Sequence, residues 1–214
     1  MLWTLLPQLR VNCIVDVGAH TGEFGTFVRN LGYAGRIVSF EPTTAALARL
    51  RQTAKNDPRW HVYGLALGAS TGTAEINVNR DTTFSSLRNS SDVGRSIFED
   101  QLTTTAVEHV QVRRLDELFS ELIGGIRDAR VYLKLDTQGW DLEVLSGATG
   151  CLERIVAAQS EMPIRPIYQG MPTASKAIAA FSAAGFDVVG MFPLNPLPRE
   201  RALNEFDCVM IRRD

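Results

Sequence analysis

The segment that most constrains the fold is Asp16–Gly22, with the sequence DVGAHTG. It follows a short and nearly continuous apolar run at residues 13–17, which is typical of a strand buried on both faces. Apolar side chains then recur at helical spacing from residue 24 to residue 31. The glycines allow a tight turn and leave no side chain to repel a ligand. A strand, a glycine-containing turn and a helix in this order predict one unit of an open α/β sheet, which binds ligands at the carboxyl ends of its strands.

Strand patterns alternate with helical patterns along most of the chain, and this alternation predicts a mostly parallel sheet with helices on both faces. Two final strands have no helix between them and are joined by the proline-rich link Pro193–Pro198. We therefore expect an antiparallel hairpin at one edge of a seven-stranded, Rossmann-like sheet. The seven predicted strands cover residues 13–17, 36–40, 61–67, 131–135, 155–160, 186–192 and 206–212.

Other elements are expected between these strands. Alternating patterns predict two further strands at residues 73–79 and 108–114. Predicted helices begin at Thr43 or Thr44 and near Asp116, and two more cover Trp140–Leu152 and Thr173–Ala184.

Residues 80–105 are rich in Ser, Thr and Asn, and we expect most of this stretch to be a loop. A loop of that length in a compact domain is usually functional or mobile, so we interpret it as a substrate or lid loop. Residues 163–172 are expected to help shape the acceptor pocket. No repeat or linker divides the sequence, which predicts a single domain over residues 1–214.

The charge balance argues against a nucleic-acid partner. The chain has 22 Lys and Arg against 24 Asp and Glu, and no basic run supplies the electrostatic footprint that nucleic-acid binding requires. Three scattered cysteines, Cys13, Cys151 and Cys208, indicate buried free thiols and a reducing compartment. Because neither a signal peptide nor an apolar stretch of about 18 residues occurs, we expect a cytoplasmic protein without a membrane span.

Two acidic residues point to a cofactor that contains adenosine. Asp16, at the end of the first strand, can hold an ammonium group directly or through water. Glu41 ends the second strand, where a carboxylate accepts hydrogen bonds from ribose hydroxyls. A dinucleotide site needs G-x-G-x-x-G, but His20 stands where the middle glycine belongs. The pattern favours S-adenosylmethionine (SAM) over NAD, and an NAD-binding oxidoreductase is the alternative.

Six segments of the sequence together form a recognisable set of motifs: Val15–Gly22, Arg36–Pro42, Ala66–Gly68, Ser85–Leu87, Leu133–Trp140 and Glu143–Ala148. On these segments the chain resembles the FkbM family of methyltransferases, from about Ile14 to Arg212. The resemblance implies a class I SAM-dependent methyltransferase. It also implies O-methylation of a small-molecule hydroxyl on a sugar, a polyketide or a lipid-linked glycan. Family members commonly carry Asn where this chain has His20, and a neutral imidazole also offers one donor and one acceptor.

The expected cofactor-binding residues follow from the motif, from Glu41 and from the resemblance. Ala66 and Leu67 are expected along the adenine ring. The full set is Asp16, Gly18, Ala19, His20, Thr21, Gly22, Glu41, Pro42, Ala66, Leu67 and Asp136.

Three residues are the candidates for catalysis. Asp136 ends the strand next to the first one and is expected to face the methyl group or the methionine amine, unless it merely caps a helix. Lys134 points to the same face, and a buried lysine needs a partner, either Glu161 or Asp136. We expect this ion pair to shape the site, with catalysis by Lys134 itself the weaker alternative.

The sequence gives fewer indications of the residues that contact the methyl acceptor. Ser85, Ser86 and Trp140 are the candidate substrate contacts. Two acids on neighbouring strands, Asp136 and Glu161, could hold Mg²⁺, but no adjacent Asp-Asp pair occurs and we expect no metal. A non-catalytic SAM-fold binding module and an N-methyltransferase are further alternatives.

Overall fold

The computed structural model describes residues 2–194 and 204–213. Its strands in chain order are β1 (Cys13–Val17), β2 (Arg36–Phe40), β3 (Trp60–Tyr63), β4 (Ala66–Leu67), β5 (Gly72–Asn79), β6 (Thr104–Arg113), β7 (Val131–Leu135), β8 (Ile155–Pro163), β9 (Phe186–Leu194) and β10 (Glu205–Arg212). Its α-helices are α1 (Leu2–Gln8), α2 (Glu23–Asn30), α3 (Thr44–Ala54), α4 (Asp92–Phe98), α5 (Leu115–Leu122), α6 (Asp141–Ser146) and α7 (Ala174–Ala183).

Seven strands form the main sheet in the order β3-β2-β1-β7-β8-β10-β9. The first five are parallel to one another, whereas β10 is antiparallel to both β8 and β9. The predicted mostly parallel sheet with a C-terminal antiparallel hairpin is therefore confirmed. The predicted neighbours β1 and β7 pair in register, with Asp16 opposite Lys134.

Apolar side chains cover both faces of this sheet, because successive residues of a strand point to opposite sides. On one face Val15 and Leu133 belong to a core that includes side chains of α5, α6 and α7. On the other face Ile14 and Tyr132 pack with side chains of α2 and α3. Both β1 and β7 are buried along their whole length, which explains their nearly continuous apolar sequences.

A second sheet of three strands, in the order β4-β6-β5, lies beside the main one. The predicted strand at 61–67 is in fact two strands, β3 in the main sheet and β4 in the small one. The strands predicted at 73–79 and 108–114 are present as β5 and β6, and β6 begins four residues earlier, at Thr104. Sequence patterns did not reveal that these strands form a sheet of their own.

Two other predictions need correction. Residues 80–105 are not mainly loop, because they contain 3₁₀ turns at Thr82–Phe84 and Glu99–Leu102 as well as α4. Most of α4 is exposed, so it lacks the apolar periodicity that marks a helix, although Ser91 caps it by accepting a hydrogen bond from the Gly94 amide at 3.0 Å. The helix predicted over Trp140–Leu152 ends at Ser146 and is followed by a 3₁₀ helix at Thr149–Arg154.

The predicted link Pro193–Pro198 begins inside β9, and residues 195–203 lie outside the described residues. Across residues 2–194 and 204–213, no helix has the length and apolar character needed to cross a bilayer.

Candidate active site

A cavity of about 410 Å³ opens where the parallel strands of the main sheet end. Its lining includes eight of the predicted cofactor residues, two further candidate catalytic residues and all three candidate substrate contacts. In that order they are Gly18, Ala19, His20, Glu41, Pro42, Ala66, Leu67 and Asp136; Lys134 and Glu161; and Ser85, Ser86 and Trp140. These predicted residues therefore lie around one continuous cavity.

The turn after β1 requires its glycines. Gly18 has φ +75°, and a Cβ atom there would lie 1.9 Å from the carbonyl oxygen of Asp136. Gly22 has φ +99° and caps α2. Thr21 donates its amide to Glu23 at 3.1 Å and its hydroxyl to the same carboxylate. Gly22 and Thr21 are not among the lining residues, so their position supports a role in shaping the turn instead of contact with a ligand.

Glu41 is held in a fixed orientation at the end of β2. Its carboxylate accepts hydrogen bonds from the His20 amide at 3.0 Å, from the Thr43 amide at 2.9 Å and from the Thr43 hydroxyl at 2.5 Å. Burial raises its pKa and these bonds oppose that rise. A carboxylate accepts about four hydrogen bonds. Glu41 therefore retains acceptor capacity toward the cavity that it lines.

Asp16, which is predicted to hold an ammonium group directly or through water, is not among the residues that line the cavity. It is fully buried, and its Oδ2 accepts a hydrogen bond from the Ser39 hydroxyl at 3.3 Å. Its Oδ1 lies 3.7 Å from the Lys134 Nζ and has no hydrogen-bond partner among the described residues. Burial raises the pKa of Asp16, and the charge of Lys134 partly offsets that rise. The β1–β7 register thus makes Asp16 a counter-ion of Lys134.

Lys134 forms the predicted ion pair with Asp136. Its Nζ lies 3.0 Å from the Asp136 Oδ2, and 5.4 Å from the centre of the Phe24 ring. Burial acts to lower the pKa of Lys134, but the charges of Asp136 and Asp16 outweigh it and raise that pKa above its ordinary value. Lys134 is therefore an ammonium group at neutral pH, and it cannot accept a proton.

Gln138 joins the acidic side chains at the end of the sheet. Its Nε2 donates to the Asp136 Oδ1 at 3.0 Å and to the Glu161 Oε2 at 2.9 Å. The Tyr168 hydroxyl in turn donates to the Gln138 Oε1 at 2.8 Å. The alternative pairing of Lys134 with Glu161 is not the one that the structure shows, because Glu161 bonds to Gln138.

Glu161 has a raised pKa, which favours its protonated form. Burial raises its pKa well above the ordinary value, and the nearby carboxylates of Asp136 and Glu205 raise it further. Asp136 behaves in the opposite way. Burial acts to raise its pKa, but Lys134 and hydrogen bonds from Glu161 and Gln138 lower it below the usual range. At this end of the cavity the two carboxyl groups therefore differ, with the pKa of Asp136 lowered and that of Glu161 raised.

The lining also includes polar residues that the sequence patterns did not indicate as site residues, among them Gln138, Asn204 and Glu205. Gln138 lies two positions after Asp136 and has φ +51°. Glu205 begins β10, which runs antiparallel to β8 and places Glu205 opposite Pro163. An acid at the start of an antiparallel strand shares an edge with acids at the ends of parallel strands. That signal was present in the sequence, but only the strand order gives it meaning.

Residues 82–102, which we call the lid, form one wall of the cavity through Phe84 and Phe98 among others. The Ser86 hydroxyl donates to the Gln138 carbonyl at 2.7 Å and accepts from the Arg88 amide at 3.0 Å. Its single proton is therefore used within the protein, and Ser86 anchors the lid. Ser85 lines the cavity, where its hydroxyl accepts a hydrogen bond from the Asn79 amide at 3.4 Å and its amide donates to the Thr82 carbonyl at 3.2 Å.

Arg88 fastens the lid to the loop after β7. Its Nε donates to the Gly139 carbonyl at 2.7 Å, and its guanidinium pairs with Glu143 and lies 5.0 Å from the Trp140 ring centre. At the opposite side of the cavity, the Thr82 hydroxyl lies 2.9 Å from the His20 Nε2. His20, the departure from the family pattern, therefore contacts the lid.

No group of three or more His, Cys, Asp or Glu side chains in residues 2–194 and 204–213 has an arrangement that could hold a metal ion. This finding concerns the described residues and their own side chains alone.

Comparison with known proteins gives a family match and a fold match. Residues 16–188 match the family described as Methyltransferase FkbM domain. No curated protein matches the sequence significantly.

Similar solved structures are methyltransferases. Magnesium protoporphyrin IX methyltransferase from Synechocystis PCC 6803, with bound SAM, has a TM-score of 0.51 at 10% identity, over 99% of this chain and 74% of that protein. Aeropyrum pernix fibrillarin, with natively bound SAM, has a TM-score of 0.52 at 12% identity, over 94% and 66%. An rRNA methylase from Streptococcus thermophilus has a TM-score of 0.51 at 10% identity, over 99% and 94%. At these identities the likeness concerns the fold.

Proposed function

Because the chain belongs to the FkbM methyltransferase family, we propose that it transfers the methyl group of SAM to a hydroxyl oxygen of a small molecule, such as a sugar or a polyketide. One observation carries the proposal. A single cavity joins the Glu41 carboxylate, at the end of β2, to the Lys134–Asp136 pair at the end of β7. A cofactor with a ribose at one end and an amino acid at the other spans such an arrangement.

The residues around Glu41 suit the nucleoside part of SAM. Glu41 is oriented by His20 and Thr43 to accept hydrogen bonds from ribose hydroxyls, while Gly18 lets the backbone come close to the ligand. Pro42, Ala66 and Leu67 supply apolar surface for the adenine ring. Asp136 is the acceptor for the ammonium group, and Lys134 keeps it ionised.

SAM, when bound, supplies a methyl group that is already activated on a sulfonium. The protein then has to align the acceptor oxygen with that carbon and to exclude water. The lid contributes Phe84 and Phe98 to the wall of the cavity, and their rings lie 4.7 Å apart. A hydroxyl is a poor nucleophile, so a group that accepts its proton assists the transfer. The acidic end of the cavity favours this chemistry over N-methylation, which usually needs no strong base.

Two alternatives are separated by different observations. The family match opposes an NAD-binding oxidoreductase, as does His20 in place of the middle glycine of a dinucleotide motif. A non-catalytic binding module shares the fold, and only turnover distinguishes it from an enzyme.

Calorimetric titration with SAM tests the cofactor. We expect wild type to bind SAM and not NAD, and Glu41→Ala to weaken binding by about 1–3 kcal/mol, because ribose hydroxyls lose their partner. Glu41→Gln keeps the size of the side chain and guards against a folding effect, and Glu153→Ala at an exposed position is the matched control. Wild type that fails to bind SAM, or prefers NAD, contradicts the proposed function.

A further inference from the structure

Asn204 is a buried side chain whose carbonyl oxygen is not satisfied by any residue that the structure describes. It is 4% exposed and lines the cavity. Its Oδ1 has no hydrogen-bond partner among residues 2–194 and 204–213. A buried carbonyl oxygen without a partner costs about 1–3 kcal/mol. A ligand that donates a hydrogen bond at this end of the cavity would satisfy it.

Glu205 is the neighbouring lining residue and belongs to the same carboxyl group cluster as Asp136 and Glu161. It is 7% exposed, and the strand pairing of β10 places it between Pro163 of β8 and Leu194 of β9. The charged and titratable groups that face it are Asp136 from β7, Glu161 from β8, which bonds to it, and the Tyr168 hydroxyl.

We propose that Asn204 and Glu205 form the acceptor subsite, that Glu205 takes the proton of the reacting hydroxyl, and that the acceptor is uncharged or cationic. The inference rests on the proposed methyl transfer. The acceptor oxygen forms a bond to the methyl carbon while the carbon–sulfur bond of SAM breaks, and the electron pair of that bond stays on sulfur. The hydroxyl proton passes to the Glu205 carboxylate, which later releases it to solvent.

The other titratable groups at this end are poorly suited to accept that proton. Lys134 already carries a proton, and the raised pKa of Glu161 favours its protonated form. Asp136 is a weak base because Lys134 and hydrogen bonds lower its pKa. Burial and the charge of Asp136 raise the pKa of Glu205 to about 7, so near neutral pH it is both substantially ionised and basic enough to accept a proton.

The charge of the lining restricts the acceptor. Four acidic side chains line the cavity besides Glu161, whose raised pKa favours its neutral form: Glu23, Glu41, Asp136 and Glu205. Lys134 is the one Lys or Arg among the described lining residues, and Asp16 and Asp136 already neutralise it. A phosphate or carboxylate near the reacting hydroxyl would meet repulsion strengthened by the low local dielectric. The subsite therefore fits polyols, phenols and amino alcohols, and it disfavours phosphorylated acceptors, nucleic acid included.

The test follows transfer of labelled methyl from SAM to glucose, myo-inositol, catechol and glucose 6-phosphate. We expect transfer to at least one of the three uncharged compounds and none to the phosphate ester. With the best acceptor, Glu205→Gln should lower kcat/KM by about 10²–10⁴-fold while SAM affinity stays within about twofold of wild type. The wild-type rate should rise with pH through about 7, and Glu205→Gln should lose this limb. Glu205→Asp should regain part of the rate, and exposed Glu153→Gln should match wild type.

Several outcomes would overturn the inference. They are a wild-type rate in Glu205→Gln, a pH limb that survives in that variant, or transfer to glucose 6-phosphate as fast as to glucose. A wild-type protein that binds SAM but methylates none of the hydroxyl compounds also overturns it. If wild type binds no SAM in calorimetry, the proposed function itself has failed, and that result is separate from a defect confined to Glu205.

Discussion

At the residue scale, the site depends on one ammonium group placed between two carboxylates. Lys134 lies 3.7 Å from Asp16 and 3.0 Å from Asp136, measured from its Nζ to the nearest carboxylate oxygen of each. The Asp16 contact follows from strand register, since the two residues are opposite each other in β1 and β7. Lys134 therefore stabilises a buried charge in the core as well as an ionised carboxylate in the cavity.

Replacing Lys134 by Met should destabilise the fold, because Asp16 keeps its burial and loses its counter-ion. Removal of one partner of a buried ion pair typically costs about 3–5 kcal/mol. We expect a decrease of that order in the free energy of unfolding at pH 7, measured by urea denaturation. Exposed Lys55→Met is the matched control.

The pH dependence of that loss identifies its cause. The folded-state pKa of Asp16 already lies above its ordinary value of 3.8, and loss of Lys134 raises it further. The folded state then binds a proton more tightly than the unfolded state, so stability declines as pH rises above about 4. The decrease in unfolding free energy caused by Lys134→Met should become smaller near pH 4. Adding Asp16→Asn to that variant should restore much of the lost free energy at pH 7. A deficit independent of pH would refute this account.

Sequence patterns could predict those site residues that belong to one strand end and its turn. An apolar run directly precedes each of Gly18, Glu41 and Asp136, so the local sequence pattern was enough to predict them. Asp16 shows the limit, because its burial depends on which side chain the neighbouring strand presents. Gln138 and Glu205 enter the site through a positive φ and through antiparallel pairing, and neither is visible in a local pattern.

At the element scale, the lid is held by polar bonds to distant parts of the chain as well as by packing of Phe84, Phe98 and Leu102 in a small apolar cluster. Ser86 and Arg88 bond to carbonyls of the loop after β7, and the Ser91 amide bonds to the Ile167 carbonyl at 2.9 Å. These partners lie 50 or more positions away in sequence. The helix α4 could not be predicted for that reason, since its position is fixed by distant partners and its own surface is mostly exposed.

Arg88→Met should loosen the lid without unfolding the sheet. The Arg88–Glu143 pair is partly buried, with side-chain exposures of 16% and 26%, and a hydrogen bond to a charged group contributes about 1.5–3 kcal/mol. Amide hydrogen exchange across residues 82–98 should quicken by about 10–100-fold, while β1 and β7 stay protected. Exposed Arg95→Met, on the same lid, should change exchange little, and equal acceleration in both variants would argue against Arg88 as the fastening residue.

At the scale of the whole molecule, periodicity predicted the main sheet because its central strands are buried on both faces. The strands of the small sheet, β4, β5 and β6, are more exposed to solvent, and long-range contacts determine how they pair. Only the individual strands could therefore be predicted. The same architecture brings acids from β7, β8 and β10 to one edge of the sheet. Their mutual repulsion gives the folded protein a distinctive dependence on pH.

Glu205 should lower the stability of the protein at neutral pH. Its pKa in the folded state is about 7 against an ordinary value of 4.5, so the folded state binds a proton more tightly. The loss of unfolding free energy that Glu205 causes is absent well below pH 4.5 and grows as pH rises. It is complete above about pH 7, where it reaches ~3 kcal/mol. Glu205→Gln should therefore flatten the decline in unfolding free energy between pH 5 and 8, measured by urea denaturation. A decline as steep as in wild type would show that Glu205 is not its source.

The place of β10 between β8 and β9 has a consequence for the newly made chain. Pro163, the end of β8, precedes Glu205 by 42 positions, which a ribosome covers in roughly 2–8 s. Until then one edge of β8 has unpaired amides and carbonyls, and such an edge is a template for pairing with another strand. The nascent protein thus passes through a brief interval in which a chaperone, or a second copy emerging nearby, can pair with the edge of β8 that β10 will cover.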